Sequence, residues 1–356
     1  MKRDNLLVVG LGQCGCTLAD SLKKRNHRYS TLYINSSMGD IQGLNYAKMD
    51  NNVFIFSGVD GAGRNRTKAK SFFEYDKIRL ASFMKNFSQF KYMLIFTSFG
   101  GGTGSGILPD FIDICKTVMP SLTINLVGVL PSLKENRLEL KNTISCLSEM
   151  NKVSKYLNDI KYVNNDNGND YKDINENVVK DIDLAYGMVA HSSIGSIDED
   201  NLTNVTTCKG YGVILRLEPN PGNLAHSIEQ AKHSSVFELP SNIRGLYGAI
   251  NVSDTYEVSD IRNSIETKET LFMSYGKKNI VCIGGCSFPD TCIDNIESSL
   301  KERELRSADD KPQEFNFKPK YGTDVVVDVC YHKEVVSNFM DDDEIDKLFN
   351  ENNYNF

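Results

Sequence analysis

A run of glycines at residues 100–106 constrains the fold of this chain more than any other feature of its sequence. The run is Gly-Gly-Gly-Thr-Gly-Ser-Gly; it follows an apolar segment at residues 92–97 and precedes a helical pattern that begins near Ile107. Each glycine costs conformational entropy on folding, so five in seven residues are a poor choice for an ordinary turn. A flexible surface loop is the alternative. We favour a loop whose backbone N–H groups, with the hydroxyls of Thr103 and Ser105, surround an anion at a helix N-terminus.

Two further glycine loops follow apolar segments in the first third of the chain. Residues 10–15 (Gly-Leu-Gly-Gln-Cys-Gly) satisfy the pattern G-x-G-x-x-G, which is weak evidence when it stands alone. Residues 58–65 contain Gly-Ala-Gly-Arg-Asn and by themselves could be any surface turn. Because loops after parallel strands lie at one edge of a sheet, we expect all three loops to converge on one ligand of the size of a nucleoside triphosphate.

The first half of the chain alternates apolar segments with glycine-rich turns and amphipathic stretches, which is typical of a parallel sheet with crossover helices. We therefore predict an α/β fold with an N-terminal parallel-sheet domain that binds a nucleotide. The predicted strands are residues 5–9, 30–34, 53–56, 92–97 and 122–130. A helix at 134–157, a strand at 160–163 and a polar turn at 164–170 should follow.

The second half predicts a long central helix and a smaller C-terminal α/β domain. Apolar residues recur at helical spacing over residues 173–192, before a polar, acidic loop. Further strands are predicted at 211–217, 245–252, 279–283 and 324–329, and helices at 224–232, 258–271 and 290–304. The expected domains are residues 1–172, the central helix and acidic loop at 173–200, the C-terminal domain at 201–333, and an acidic amphipathic tail at 334–356.

Composition excludes several classes of protein. The formal net charge is -7, with 40 basic and 47 acidic residues, which argues against general, sequence-independent DNA binding. No apolar run is long enough to span a membrane, and no signal peptide is evident, so we expect a cytoplasmic protein that does not contact membranes. Nine scattered cysteines indicate reduced thiols packed in a core.

Three other kinds of site match these residues less well. A dinucleotide-binding fold of the NAD-dependent oxidoreductase class should carry an acidic residue about 20 positions after its glycine motif, but the second strand here is followed by Ser36-Ser37. The glycine run lacks the Lys-Ser/Thr of a Walker A loop. Cys282, Cys286 and Cys292 lie close together, yet they lack the spacing of a structural zinc site.

The three loops together resemble those of the tubulin/FtsZ superfamily, and most of all its phage and plasmid branch of segregation GTPases. Gly100–Gly106 resembles the signature loop of that family, residues 12–15 are similar to its first nucleotide loop, and residues 61–65 resemble its γ-phosphate loop. The resemblance covers about the first 330 residues. It implies a tubulin-like fold that binds and hydrolyses GTP to GDP with Mg²⁺.

The resemblance also implies roles for individual residues. Gly12, Gln13 and Cys14 would lie beside the phosphates, with Gln13 near the magnesium ion. Glu135, four residues after Pro131, would accept a hydrogen bond from a ribose hydroxyl, and Tyr171 and Asn175 would contact guanine; ordinary helix-start residues are the alternative for all three. The other implied nucleotide-binding residues are Gly61, Ala62, Gly63, Arg64, Asn65, Gly100, Gly101, Gly102, Thr103, Gly104, Ser105 and Gly106.

The acidic loop at residues 196–202 resembles the segment that carries the hydrolytic carboxylates of the family. Asp198 matches the first acid, whereas the second matched position is Asn201, with Asp200 one residue earlier. We interpret Asp198 and Asp200 as the catalytic pair, against the alternative of an ordinary solvated loop. The cell-division relatives also tend to carry an Asp near the magnesium ion, where this chain has Asn35-Ser36-Ser37; Asp40 is a possible substitute, which leaves the magnesium ligands open.

The implied function is a GTPase that polymerises head to tail, with each nucleotide completed by the acidic loop of the next subunit. In the phage and plasmid branch such filaments move or position DNA through a DNA-bound adaptor, which the acidic tail of this chain could bind; packing of the tail on a neighbouring subunit is the other possibility. A ring-forming cell-division protein of the FtsZ type is the alternative function, although the chain lacks the basic C-terminal peptide of that class.

Overall fold

The computed structural model describes residues 3–218 and 223–308 of the chain. The strands in these ranges are β1 (Leu6–Leu11), β2 (Ser30–Asn35), β3 (Val53–Ile55), β4 (Tyr92–Ser98), β5 (Thr123–Leu130), β6 (Leu157–Asn164), β7 (Ala190–Ser192), β8 (Gly195–Ile197), β9 (Gly210–Arg216), β10 (Gly245–Val252), β11 (Thr267–Tyr275) and β12 (Ile280–Cys286). The helices are α1 (Gly12–Arg25), α2 (Met38–Gln42), α3 (Arg66–Met84), α4 (Thr103–Val118), α5 (Arg137–Met150), α6 (Tyr171–Tyr186), α7 (Glu199–Thr206), α8 (Leu224–His233), α9 (Val258–Ser264) and α10 (Thr291–Ala308).

One ten-stranded sheet runs through the described part of the chain, in the order β11-β10-β12-β9-β6-β5-β4-β1-β2-β3. Strands β1 to β6 are parallel and follow the doubly wound order 3-2-1-4-5-6, with its switch point between β1 and β4. The predicted α/β class and parallel N-terminal sheet are therefore confirmed. Strand β9 continues the sheet by pairing with β6, and β12 is antiparallel to β9 and to β10. The domain boundaries given above stay a prediction.

Helices cover both faces of the sheet because its inner strands are apolar on both sides. All six residues of β1 are buried. Leu6 and Val8 pack into a cluster with α1 and the long helix α6, whereas Leu7 and Val9 face a second cluster with α3, α4 and α5. This double burial is why the strand is a continuous apolar run rather than an alternating one.

Several predicted elements end elsewhere in the structure. The helix predicted at 134–157 is shorter, because residues 131–136 form a loop and β6 already begins at Leu157. The helix predicted to reach residue 192 ends at Tyr186, since Gly187 interrupts it and the next residues form the β7–β8 hairpin. Val189 matches the helical spacing but is 37% exposed, so it does not belong to the buried stripe.

Other boundaries were wrong in type as well as position. Residues 267–271 belong to β11, which pairs with β10 at an edge of the sheet, and not to a helix. The acidic segment at 196–202, predicted as a loop, is divided between the end of β8 and the first residues of helix α7. Helix α4 begins at Thr103, inside the glycine run, and not near Ile107. The predicted strand at 324–329 and the tail at 334–356 lie outside the described residues.

Two predictions about residue environments can be compared with the structure. Among the cysteines within the described ranges, all are free and all but Cys14 are buried, as the sequence indicates. Among the helices described here, none combines the length and the apolar character that a membrane span requires.

Candidate functional site

A cavity of about 430 Å³ opens at the carboxyl edge of the parallel sheet, beside the switch point between β1 and β4. Loops after β1, β2, β3, β4 and β5 form its walls, so the predicted convergence of the glycine loops is confirmed. The predicted residues that line it are Gly12, Gln13, Cys14, Gly61, Ala62, Gly63, Arg64, Gly100, Gly101, Gly102, Thr103, Gly104 and Glu135. Asn65, Ser105, Gly106, Tyr171 and Asn175 are not among the lining residues.

The first loop needs its glycines for close backbone packing. Gly12 has a φ of +68°, and a Cβ there would lie 2.9 Å from the backbone nitrogen of Gly104. A Cβ at Gly15 would lie 2.1 Å from the carbonyl oxygen of Phe96 on β4. Helix α1 can therefore begin directly at the end of β1, with its N-terminus beside the cavity, where its partial positive charge favours an anion.

Cys14 contributes a neutral group to this wall. Burial, with a smaller contribution from the Glu135 carboxylate, raises the pKa of its thiol to about 12. The side chain therefore adds no negative charge beside the loops that would receive phosphates.

The glycine run divides into a cavity wall and the start of a helix. Gly100, Gly101 and Gly102 line the cavity, and α4 begins at Thr103, so the first N–H groups of the helix lack intrahelical partners at this point. Ser105 is fully buried and its hydroxyl donates to the Gly101 carbonyl. A Cβ at Gly106 would lie 2.8 Å from the Ala69 Cβ, so this glycine allows α4 to pack against α3.

The loop at residues 61–65 packs against the glycine run. Arg64 has a φ of +60°, and a Cβ at Gly102 would lie 2.7 Å from the Arg64 Cα. Asn65 points away from the cavity and caps α3, because its side chain accepts a hydrogen bond of 3.0 Å from the Lys68 N–H. The Gly61 N–H donates to the Ser36 carbonyl at 2.7 Å, which joins this loop to the end of β2.

Asn142 on α5 joins two of the loops and was not predicted from the sequence. Its Nδ2 donates to the carbonyls of Arg64 at 2.9 Å, Gly100 at 3.0 Å and Gly101 at 3.2 Å. One buried amide thus holds the glycine run and the 61–65 loop together. Nothing in the sequence around Asn142 indicates this role, because its three acceptors are distant in the chain.

Glu139 is a second residue of the cavity that was missed. It lies on α5, its side chain is 5% exposed, and it forms an ion pair with Arg64. Its Oε2 atom is buried without a hydrogen-bond partner within the part of the chain that the structure describes. The sequence gives no signal for it, because Glu135 lies in the loop before α5 and the two residues do not share a helix face.

Glu135 lies where three segments meet. Its carboxylate Oε1 accepts from the Ser132 N–H at 3.2 Å, the Asn165 amide at 3.3 Å and the Tyr171 hydroxyl at 3.1 Å. Asp166 holds the same loop, because its carboxylate accepts from the Ser132 hydroxyl and from the Leu133 N–H. We call residues 131–136 the Glu135 loop.

Tyr171 begins α6 at the rim of the cavity. Its side chain is 55% exposed; partial burial and the Glu135 carboxylate raise the pKa of its hydroxyl, which therefore stays protonated and can donate. Asn175 lies one turn further along the same helix and is half-buried. The contact of these two residues with a base stays a prediction.

Oxygen donors at the end of β2 fit a magnesium ion. Asp40 lines the cavity and its Oδ2 accepts a hydrogen bond of 3.0 Å from the Asn35 amide, while the Ser36 and Thr103 hydroxyls lie 2.7 Å apart. Mg²⁺ in nucleotide sites is bound by one or two protein oxygens, several waters and the phosphates. Asp40 and Gln13 can supply such oxygens, beside the hydroxyls of Ser36 and Thr103 in the same wall.

The acidic residues lie at the other end of α6. Tyr171, at the start of this sixteen-residue helix, contacts Glu135, and the chain continues from Tyr186 through the β7–β8 hairpin to Asp198. At 1.5 Å per residue the helix is about 24 Å long. Asp198 and Asp200 are exposed and do not line the cavity.

Asp198 and Asp200 have different surroundings, because Asp198 caps the N-terminus of α7 and Asp200 lies on its first turn. The Asp198 carboxylate accepts the Asn201 N–H at 2.7 Å, and the Asn201 amide donates to the Ser196 carbonyl at 3.4 Å. Asn201 is therefore engaged in local structure, whereas the carboxylate of Asp200 is exposed on the first turn.

Comparisons with known proteins agree with the geometry. The family model "Tubulin/FtsZ family, GTPase domain" matches residues 5–167. The tubulin-like protein TubZ of Clostridium botulinum C phage is 27% identical over 309 residues, which cover 85% of each chain. The tubulin-like protein CetZ of Thermococcus kodakarensis is 25% identical over 282 residues, which cover 73% of each chain.

Solved structures show the same fold. A tail-truncated TubZ of Clostridium botulinum phage c-st superposes with a TM-score of 0.78 at 24% identity, over 85% of this chain and 99% of that one. A GTPγS-form protofilament of TubZ from Bacillus thuringiensis serovar israelensis gives a TM-score of 0.72 at 18% identity, over 85% and 93% of the two chains.

Proposed function

Residues 5–167 are a GTPase domain of the tubulin/FtsZ family, and from this premise we propose that the chain polymerises head to tail and hydrolyses GTP at each contact between subunits. One observation carries the proposal: the exposed acids do not line the cavity, and the chain reaches them only after α6, a helix about 24 Å long that begins at the rim of the cavity. Acids at that distance cannot reach the nucleotide of their own chain. They can reach the nucleotide of a neighbour that is stacked along the same direction.

Such a contact joins two different surfaces of the subunit, and repeated contacts of this type form open filaments. Structures of TubZ from Bacillus thuringiensis are described as protofilaments and as a two-stranded filament, which supports self-association of the present chain.

The chemistry divides between the two surfaces. Backbone N–H groups of Gly12, Gly101 to Gly104, Ala62 and Gly63 would bind the phosphates, with Glu135 on the ribose. Bound Mg²⁺ would neutralise charge on the phosphates, with Gln13 and Asp40 as its protein oxygens. Asp200 of the next subunit would orient and activate the attacking water, and Asp198 would hold the first turn of α7 that presents it.

We propose further that the filaments position or segregate phage or plasmid DNA in the cytoplasm. The 27% identity with a phage TubZ supports this role, and free cysteines suit a reducing compartment. The net charge of -7 disfavours direct general binding to DNA, so a DNA-bound adaptor is required. Acidic residues 341–344 of the tail would attract a basic adaptor.

The proposal is tested by following GTP hydrolysis and light scattering together as the protein concentration rises. We expect activity per subunit to increase above a critical concentration, together with scattering. Asp200→Ala should still scatter but lose hydrolysis, whereas Asn204→Ala, an exposed residue of the same helix, should behave as the wild type. Activity that is independent of concentration, without scattering, would contradict the proposal.

The role in DNA positioning needs a separate experiment in cells. Fluorescently labelled protein is expected to form filaments that move with a labelled plasmid, and removal of residues 334–356 should separate the two while filaments persist. A ring at the division site would instead favour the FtsZ-type alternative.

A further inference from the structure

The last described helix contacts the Glu135 loop through one side chain. Arg303 on α10 is half-buried, and its guanidinium donates to the backbone carbonyls of Leu133 and Glu135. The two acceptors are 168 and 170 residues away in sequence. A planar guanidinium can make both bonds at once with two of its N–H groups, whereas the ammonium group of a lysine has no such fixed fork.

Arg303 adds to the groups that hold the Glu135 loop. Asp166 holds Ser132 and the Leu133 N–H from one side. On the side of α10, a crevice of about 90 Å³ separates the loop from the first turns of the helix, with Pro131, Leu133, Thr291 and Ile296 among its walls. Close packing of side chains therefore does not fix the loop beside this crevice, and Arg303, on a later turn of the same helix, adds two bonds to the backbone of the loop.

The contact also holds the backbone that carries the Glu135 carboxylate. The Glu135 carbonyl is held by Arg303 on one side of the residue, while its side chain reaches the cavity wall and Tyr171. Without the bonds to α10, the backbone at residues 133–135 is held less firmly, and the carboxylate keeps only its own bonds to Ser132, Asn165 and Tyr171.

We propose that Arg303 is a positioning residue for nucleotide binding: it holds the Glu135 loop so that the Glu135 carboxylate can accept hydrogen bonds from the ribose hydroxyls. The inference rests on the proposed contact between Glu135 and the ribose. It connects the nucleotide cavity directly to α10, the helix that leads into residues 309–356.

The test compares the affinities of the nucleotide-free full chain for GTP and for 2′,3′-dideoxy-GTP, which lacks both ribose hydroxyls, by titration calorimetry. We expect wild type to prefer GTP, and Arg303→Ala to weaken GTP binding about tenfold while binding of the dideoxy nucleotide changes little. Arg303→Lys should lie between the two. Arg306→Ala removes an exposed guanidinium from the same helix, which forms an ion pair with Glu302 at 3.9 Å, and should leave both affinities unchanged.

A double variant distinguishes positioning from a general effect of charge. In a Glu135→Gln background, Arg303→Ala should cause no further loss of GTP affinity, because the group that it positions is already altered. An Arg303→Ala protein that keeps the wild-type preference for GTP over the dideoxy nucleotide overturns the inference. So does a wild type that binds both equally, which removes the ribose contact of Glu135 but leaves assembly-dependent hydrolysis to be judged by its own experiment.

Discussion

Arg64 and Glu139 form an ion pair inside the nucleotide cavity, between a loop after β3 and a helix after β5. The Arg64 side chain is 58% exposed and that of Glu139 only 5%, so the pair joins a solvent-exposed cation to a buried carboxylate. A buried carboxylate beside loops that receive phosphates would repel them unless its charge is compensated. Arg64 supplies that compensation.

Substitution of Arg64 should therefore weaken GTP binding through the charge that it leaves behind. We expect Arg64→Ala to lower the affinity for GTP at least about tenfold. The buried Glu139 carboxylate is then left without its partner, and its uncompensated charge makes the free energy of binding less favourable by more than the loss of one contact would. Restoration of most of this loss in Arg64→Ala/Glu139→Gln, measured by calorimetry, would identify Glu139 as the cause. Lys68→Ala, an exposed lysine on α3, controls for net charge. Equal affinities of the single and double variants would contradict the prediction.

Because two loops approach closely at Gly102, substitution by alanine should destabilise the fold there and be tolerated at Gly101. A Cβ at Gly102 would lie 2.7 Å from the Arg64 backbone, whereas one at Gly101 meets only the Ser98 carbonyl at 3.9 Å. We expect Gly102→Ala to lower the free energy of unfolding by about 1–3 kcal/mol, in the range of overpacking. Gly101→Ala should change it by less than about 0.5 kcal/mol. Urea denaturation without nucleotide measures both, and equal stabilities would show that the loops can separate freely.

Two variants with defects at opposite surfaces should restore GTP hydrolysis when they are mixed. An Asp200→Ala chain keeps its cavity, and a Gly102→Ala chain keeps its acidic loop. If each alone is inactive, an equal mixture should recover about a quarter of the wild-type hydrolysis rate, because about one contact in four joins an intact cavity to an intact acidic loop. Phosphate release from the mixture measures this. No recovery, in a mixture that still scatters light, would place both halves of the site in one chain.

Asp181 on α6 should make the stability of the fold depend on pH. It is buried beside Arg216 Nε at 3.1 Å, yet its Oδ1 makes no hydrogen bond among the described residues. Burial outweighs the attraction of Arg216, Lys180 and Arg25 and raises the pKa of Asp181 to about 6. The protonated form is favoured in the folded state, so this contribution is complete below about pH 4 and is lost as the pH rises through 6.

Between pH 4 and pH 8 the wild type should therefore lose about 3 kcal/mol more of unfolding free energy than Asp181→Asn, which cannot ionise. Denaturation of nucleotide-free protein across this range checks the difference. Glu176→Gln, an exposed position on the same helix, should follow the wild-type curve. Parallel curves for wild type and Asp181→Asn would show that the carboxyl has no raised pKa.

The architecture and the cavity could be predicted from the sequence because their causes are local. Strands β1 to β5 are apolar runs, each glycine loop follows such a run, and parallel strands bring those loops to one edge. Local patterns also explain the errors. Spacing alone extended α6 past Gly187, and the exposed edge strand β11 lacks the apolar run by which the inner strands were identified.

The residues that were missed depend on contacts between distant segments. Asn142 is one polar residue of an amphipathic helix until the fold brings two loops to its amide. Arg303 contacts the Glu135 loop from a helix more than 160 residues away. Neither position carries a motif, because each acts on backbone carbonyls, which every sequence supplies.

Because the cavity lies at the start of α6 and the acids follow its other end, each subunit has two chemically different ends. In the proposed head-to-tail row, the subunit at one end holds a nucleotide that no neighbouring acidic loop contacts. The subunit at the other end has an acidic loop that contacts no nucleotide. If the chain assembles as proposed, the row always keeps one nucleotide that is hydrolysed last, at a fixed end. Its two tips would differ chemically even though every subunit is identical, so a partner could distinguish one end of the row from the other.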